Sequence, residues 1–369
     1  MDEWLRTGQC DLVHDFTYAA LPARIVFGPG AARTRLADEV ARLEATRVLL
    51  IASDRDADRV RQLVAPLHGR VVATFTDVVE HVPVATAAAV RALAVAAGAD
   101  AVLCIGGGST IGAAKAVALT ARIPIVAVPT TYSGSEVTAI WGTSDGGIKT
   151  TGVDLAVLPR TVVYDPELTA TLPRDMAVAS GLNAMAHGVE ALWAPGRNPV
   201  STAVAEEGIA ALASGLRKAA DGKDDGPSEL LRGAWLAAAA FAVTGSGLHH
   251  KLCHVLGGMG MPHARTHAVV LPHVLAFNAP GAPEAAMRVA RALGVTRASG
   301  EDGAVAGLRA LAAALGVPRG LRDLGFPEGK IDEAAALTEP VVPADNPVPV
   351  GDGALRRLVR RVWSGDDDG

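Results

Sequence analysis

Three apolar runs constrain this chain more than any other feature: Arg47-Val48-Leu49-Leu50-Ile51-Ala52, Ala101-Val102-Leu103-Cys104-Ile105 and Pro124-Ile125-Val126-Ala127-Val128. Each has strand length and none alternates apolar with polar residues. A strand without a polar face must be covered on both sides, as a parallel strand is between two helix layers. Helical spacing fills the intervals, over about residues 31–43, 57–67, 84–97 and from Ser109 to Thr120. Further strands are read at Arg24–Phe27, Val71–Phe75 and Thr161–Tyr164. Val137–Trp141 and Ile148–Thr151 flank Ser144-Asp145-Gly146-Gly147 as a hairpin. Strands roughly 25 residues apart, joined by helices, predict a doubly wound, Rossmann-like parallel sheet.

From Pro173 onward the pattern contains no strand. Ala179–Glu190 is helical by spacing, and further helices are expected over about 200–219, 227–244, 247–256, 265–277, 283–293, 302–315 and 352–363. Two domains follow: an α/β nucleotide-binding domain over 16–168 and an all-helical domain over 169–369. Residues 1–15 read as disordered or additional, and the Asp-rich end from Gly365 to Gly369 as frayed. Half of the 369 residues are apolar, enough for two cores. A formal net charge of −5 argues against a nucleic-acid partner. No apolar run reaches the roughly 18 residues of a membrane helix. The acidic start, Met1-Asp2-Glu3, lacks the layout of a signal peptide, and three widely spaced cysteines (Cys10, Cys104, Cys253) suit reduced thiols. The expected location is the cytoplasm.

Two loops at strand ends carry candidate chemistry. Gly106-Gly107-Gly108-Ser109-Thr110 lies between a buried strand and a helix start. Glycines there let the backbone approach a phosphate, and the helix N-terminus offers free N–H groups. Ser109 can cap the helix and donate to the same phosphate. The loop Pro129-Thr130-Thr131-Tyr132-Ser133-Gly134-Ser135-Glu136 is rich in hydroxyls. Open α/β sheets bind ligands at such strand ends. Asp54 ends the second strand, where a carboxylate can hold both ribose hydroxyls and would repel a 2′-phosphate; the bland alternative is a solvated turn residue.

The helical half holds a concentration of histidine. Six of the ten histidines fall between His249 and His273. His250 and His254 share a helix face, as do Asn183 and His187. His263 follows a Gly-rich break that could fold it back. Such a set can bind a metal or handle protons. Asn183 is neutral, where a carboxylate would serve a hard divalent ion better.

These stretches together resemble the iron-containing alcohol dehydrogenase and dehydroquinate synthase-like superfamily. The motifs are Gly-Gly-Gly-Ser-Thr-x-Gly at 106–112, Pro-Thr-Thr-Tyr-x-Gly-Ser-Glu at 129–136, Gly-x-Asn-Ala-x-Ala-His-x-Val-Glu-Ala-Leu at 181–192 and His249-His250-Lys251-Leu252-Cys253-His254-Val255-Leu256-Gly257-Gly258, with Pro262-His263 following. Within the superfamily the chain is most similar to the maleylacetate reductase subfamily, over about residues 16–363. The resemblance implies a cleft between a nucleotide domain and a helical domain, a homodimer, and reduction of the carbon–carbon double bond of 2-maleylacetate to 3-oxoadipate by NADH or NADPH. Asp54 favours NADH. Metal-using relatives have Asp at the positions of Asn183 and Gly112, and their ligands map onto Asn183, His187, His250 and His263. Asn183 fits the reductase type and speaks against a tightly held iron or zinc.

Three positions depart from the subfamily pattern. Val153 stands where Arg is expected, the loop Gly257–Pro262 is one residue short and lacks its Phe, and Asp54 is of the alcohol dehydrogenase type. The expected chemistry is hydride transfer to an electrophilic carbon conjugated to a carboxylate or ketone. His187, His250 and His263 would surround the substrate, Lys251 and Tyr132 would contact its negative charge, and His254 or His250 would supply the proton. Gly107, Gly108 and Ser109 would take the pyrophosphate, and Thr130, Thr131 and Ser135 the nucleotide or ribose. The alternatives are a metal-dependent alcohol dehydrogenase or aldehyde reductase, a reductase of another unsaturated or keto acid, and a nucleotide-binding protein without turnover.

Overall fold

The computed structural model describes residues 16–21, 23–145, 148–295 and 300–365. The N-terminal segment 1–15, the hairpin turn Gly146-Gly147 and the tail 366–369 lie outside the described residues. The first half runs β1 (Arg24–Phe27), α1 (Ala31–Ala41), β2 (Val48–Ala52), α2 (Ala57–Val64), β3 (Val71–Phe75), α3 (Val84–Ala96), β4 (Ala101–Gly106), α4 (Gly108–Ala121), β5 (Ile125–Pro129), β6 (Ile140–Asp145), β7 (Ile148–Val153), β8 (Thr161–Tyr164) and the short α5 (Pro166–Thr169). Six strands form one parallel sheet in the order β1-β8-β5-β4-β2-β3, and β6 and β7 form a separate antiparallel pair.

Every residue of β2, β4 and β5 is buried. Their side chains alternate between two cores. Leu49, Ile51, Val102, Cys104, Ile125 and Ala127 join the core that continues into the helical half. Val48, Leu50, Ala52, Leu103, Ile105 and Val128 join the one beneath α1 and α2. A one-residue slip would exchange these sets, so the two-sided apolar runs fix register as well as strand identity. The order of strands reverses between β2 and β4: β3 lies outside β2, and β5, β8 and β1 lie outside β4. Loops at such a reversal splay apart and leave a crevice at the strands' C-terminal ends.

The sheet closes at its last strand. β1 pairs with β8 alone, from Arg24 opposite Thr161 to Phe27 opposite Tyr164. Directly after β8 the carboxylate of Asp165 accepts from the backbone N–H of Gly30 and Ala32, at 2.9 and 3.0 Å, and of Glu167 at 3.1 Å.

The helical half comprises α6 (Arg174–Ala191), α7 (Pro199–Ala220), α8 (Gly226–Thr244), α9 (Leu248–Gly258), α10 (His263–Asn278), α11 (Pro283–Ala292), α12 (Gly300–Ala314), α13 (Ile331–Thr338) and α14 (Ala354–Ser364). Among the described residues no strand follows Pro173, and no helix is long and apolar enough to cross a membrane. Helix α13 was not foreseen; its eight residues offer little more than two turns of pattern. α7 and α8 touch at backbone distance. A Cβ added at Gly208, Gly215 or Gly233 would lie 2.7 Å from the backbone nitrogen of Ala237, Leu230 or Leu212.

Candidate active site

The nucleotide side of the crevice is built by β4 and β5. α4 starts at Gly108 with Gly107 as its cap residue, and no side chain bonds the free N–H groups of its first turn. Ser109 is therefore not the cap, as the sequence suggested; it sits half-buried inside that turn. An open N-terminus on a 14-residue helix carries unpaired donors and a positive dipole end, which suits a pyrophosphate. The glycines are required by crowding. A Cβ at Gly107 would meet Thr131 at 3.0 Å and one at Gly108 would meet Ser133 at 3.3 Å. Thr130 donates its N–H to the Gly106 carbonyl at 3.0 Å, tying the β5 loop to the end of β4. Asp54 lies exposed two residues past β2, beside β4 in the sheet, in a turn capped by Ser53. These residues fit a dinucleotide.

Beneath the loop lies a buried polar brace. Lys115 of α4, 1% exposed, donates to the Thr138 carbonyl (2.8 Å), the Thr138 hydroxyl (3.0 Å) and the Ile140 carbonyl (2.7 Å). Burial pushes its ammonium down to about 7. Glu136 is fully buried and accepts from the Tyr164 hydroxyl at 2.8 Å; burial raises its carboxyl. Ser135 opens the turn held by this brace, its carbonyl accepting from the Thr138 hydroxyl at 3.1 Å.

The opposite wall is a run of imidazoles. His187 of α6 stacks on His250 of α9, with ring centroids 4.9 Å apart and planes at 16°. Phe241 of α8 packs on both rings at 4.8 and 4.5 Å. His254 meets His250 edge-on at 6.2 Å and stacks on His263 at 6.4 Å. Gly134 of the β5 loop lies against His187: a Cβ there would sit 3.1 Å from that ring, on backbone with φ +74°. The β5 loop and the imidazole wall therefore meet across the crevice. Lys251 and His254 line an adjoining groove of about 600 Å³, together with Thr151 of β7, Phe326 and Lys330.

The residue that organises the wall is Glu190, which sequence reasoning left without a role. Its carboxylate is fully buried and accepts from the backbone N–H of Gly247 (3.0 Å) and His249 (2.7 Å). It also lies 2.6 Å from Nδ1 of His250. A carboxylate on Nδ1 assigns the proton to that nitrogen and leaves Nε2 as an acceptor. Burial pushes Glu190 up to about 7, against the pull of the surrounding N–H groups. Burial lowers His250 well below the ordinary imidazole range, His187 to about 4, and His249 to about 3. His267, also unassigned by the sequence, accepts or donates at 2.9 Å between its Nδ1 and Nε2 of His249, with Cys253 Sγ 3.7 Å from the same nitrogen. His267 sits one helical turn after His263 and His249 next to His250, so the spacing held the signal; their pairing depends on how α10 folds back on α9.

Tyr132 does not join the wall. It is 1% exposed, its hydroxyl bonds Thr169, and it lines a separate cavity of about 310 Å³ with Leu172, Arg174 and Leu216. The sequence counted its hydroxyl but could not show that it turns inward.

The donor set Asn183, His187, His250 and His263 fits a hard divalent metal poorly. It has no anionic ligand, which disfavours a hard, oxygen-seeking ion; its imidazoles are of the type that holds zinc or iron, and Asn183 Oδ1, His187 Nδ1 and His250 Nε2 are buried without a hydrogen-bond partner. Among the described residues the histidine, cysteine and carboxylate atoms within 4.8 Å of one another are those of His249, Cys253 and His267, all buried; His187, His250 and His263 do not form such a group.

Comparison with known proteins agrees with this architecture. Residues 22–166 match the family model "iron-containing alcohol dehydrogenase", and residues 177–362 match "Fe-containing alcohol dehydrogenase family, C-terminal". The chain is 46% identical to maleylacetate reductase of Sphingobium indicum, over 95% of this chain and 98% of that protein. A crystal structure of an iron-containing alcohol dehydrogenase from Corynebacterium glutamicum, 46% identical, superposes with a TM-score of 0.90 over 96% of this chain and 98% of the other. Maleylacetate reductase from Agrobacterium tumefaciens, 39% identical, superposes with a TM-score of 0.88 over 95% and 99%. With both halves matched and three relatives above one-third identity over nearly the whole length, the chain belongs to the iron-containing alcohol dehydrogenase family.

Proposed function

We propose that this protein is a maleylacetate reductase, an NAD(P)H-dependent oxidoreductase that reduces the double bond of 2-maleylacetate to give 3-oxoadipate. The observation that carries the reading is the imidazole wall itself: His250 is oriented by Glu190, and neutral Asn183 stands beside it where a carboxylate would serve a hard divalent ion better. The likeness to maleylacetate reductases over 95% of the chain supports the same substrate.

When bound, the nicotinamide cofactor supplies the hydride. Gly107, Gly108 and Ser109 would hold its pyrophosphate on the open end of α4, and Thr130, Thr131 and Ser135 would contact its nucleotide or ribose from the loop beside it. Asp54 takes the ribose hydroxyls and favours NADH. With the cofactor in place, hydride would add to one alkene carbon and the electron pair of the double bond would move toward the conjugated carbonyl. That oxygen gains negative charge in a cleft from which Phe241 and the stacked imidazoles exclude water. A proton then goes to the second alkene carbon. Burial keeps His187 and His250 neutral at pH 7, so His250 acts as a fixed, oriented acceptor, and the half-buried His254 delivers the proton. Lys251 and His263 hold the substrate's negative charge. The enzyme works in the cytoplasm as a homodimer.

The test is oxidation of NADH and of NADPH by purified enzyme with maleylacetate, followed by loss of reduced-nicotinamide absorbance, with 3-oxoadipate identified as product. Turnover with neither cofactor overturns the substrate assignment. Iron or zinc bound stoichiometrically and needed for turnover would favour the metal-dependent dehydrogenase instead.

A further inference from the structure

Between β3 and α3 the chain makes a short loop in which His81 and Val82 both have left-handed backbone, with φ 62° and 49°. A β-branched residue in that region is an outlier and persists where its surroundings fix it. Three contacts do so. Val82 is buried and packs on Ala87 of α3 and Ala116 of α4. Its Cγ2 fills the space beside Gly112, where a Cβ would lie 2.7 Å away. The N–H of Ser144 in β6 donates to the Val82 carbonyl at 3.2 Å.

The effect falls on the preceding residue. The His81 ring meets His263 edge-on, with centroids 5.8 Å apart and planes at 84°. His263 stacks on His254, which lines the groove with Lys251. His81 thus extends the imidazole wall from the sheet side of the crevice, where the sequence offered no signal for it. Glu80 Oε1 lies 3.7 Å from His81 Nε2, with the glutamate side chain 69% exposed; a contact so long and wet yields to a better-held carboxylate.

We propose that His81 is a substrate-contacting, specificity-determining residue whose imidazole donates to one carboxylate of an unsaturated dicarboxylic acid, while Lys251 serves the other end. The proposal rests on the carboxylate-substrate reading given above. A dicarboxylate needs donors at both ends, and the cleft supplies them from both of its walls. Because the turn is locked by Val82, His81 is already in place before binding, which lowers the ordering cost on association.

The test compares wild type with His81→Asn, which tolerates left-handed backbone but lacks the ring, and His81→Arg, which restores a carboxylate donor. At saturating NADH, His81→Asn should raise KM for maleylacetate about tenfold or more, with kcat reduced far less and NADH affinity unchanged, and His81→Arg should recover part of the loss. A KM for His81→Asn within about twofold of wild type overturns the proposal. Ring signals of ¹⁵N-histidine-labelled enzyme, with those of His81 identified by their loss in His81→Asn, give a second reading during titration with maleate. If wild type does not turn over maleylacetate, the functional reading falls and these signals alone decide: movement with maleate supports the His81 contact, and unmoved signals refute it.

Discussion

Glu190 shows how one buried side chain can set the chemistry of another. Two backbone N–H groups hold its carboxylate, and the third contact, at 2.6 Å, fixes the His250 tautomer. Glu190→Gln keeps the shape but can present an N–H to Nδ1, inverting which nitrogen of His250 carries the proton. We expect kcat to fall by about 10²–10⁴ with little change in NADH binding, as tautomer inversion does in other imidazole-centred sites. Near-normal kcat in a folded variant would show that the tautomer is unimportant. At the nucleotide end, Asp54→Asn removes a charge worth about 1 kcal/mol against a 2′-phosphate, so the preference for NADH over NADPH should fall several-fold to tenfold; an unchanged ratio of kcat/KM would clear Asp54 of the role. The spacing of His250, His254 and His263 and the neutrality of Asn183 were legible in the sequence. The partners were not. Glu190 acts on residues nearly 60 positions later, His81 on one more than 180 later, and Tyr132 turned inward, because each depends on how elements pack.

The two glycine-lined features at the scale of elements behave differently. At the start of α4, the Cβ of Gly107→Ala would press on the end of the Thr131 side chain at 3.0 Å. That side chain can shift, so we expect weaker NADH binding, about tenfold in Kd, with a thermal midpoint close to wild type. Between α7 and α8, Gly233→Ala would place a Cβ 2.7 Å from the backbone of Leu212, which cannot move without separating the helices. There we expect about 1–3 kcal/mol of lost stability in urea unfolding and an unaltered cofactor Kd; a stability equal to wild type would mean that the helix pair is looser than described. Strands β2, β4 and β5 were readable because burial on both faces leaves a continuous apolar word. Helix ends were readable to within a few residues. The cap of α4 was misread because a hydroxyl near a helix start was taken as the cap, although glycine at that position leaves the donors free for a ligand.

For the whole molecule, the imidazole wall makes stability depend on pH. Burial lowers His187, His249, His250 and His267, so these four stay neutral in the fold while the unfolded chain protonates them near pH 6.5. Their contribution is complete above about pH 6.5 and is lost as pH falls toward their folded values. Glu190, pushed up to about 7, and Glu136, also raised, act in the opposite sense: they favour the fold in acid and lose that effect as pH climbs from about 4.5. Four depressed histidines outnumber the two raised carboxyls, so the net effect between pH 7 and pH 5 follows the histidines. Thermal melts between pH 7 and pH 5 should therefore show a falling midpoint, and a flat or rising one would contradict the buried, neutral state of the wall.

The pairing of β1 with β8, sealed by Asp165 on Gly30 and Ala32, also has a meaning in time. As the chain leaves the ribosome, its first strand has no neighbour until the last strand of the sheet emerges more than 130 residues later. The opening strand must wait with its edge unpaired while the rest of the sheet is made. Synthesis of the nucleotide half thus ends with a locking step, and a truncation before residue 165 would release a chain that has the strands of its sheet and no clasp.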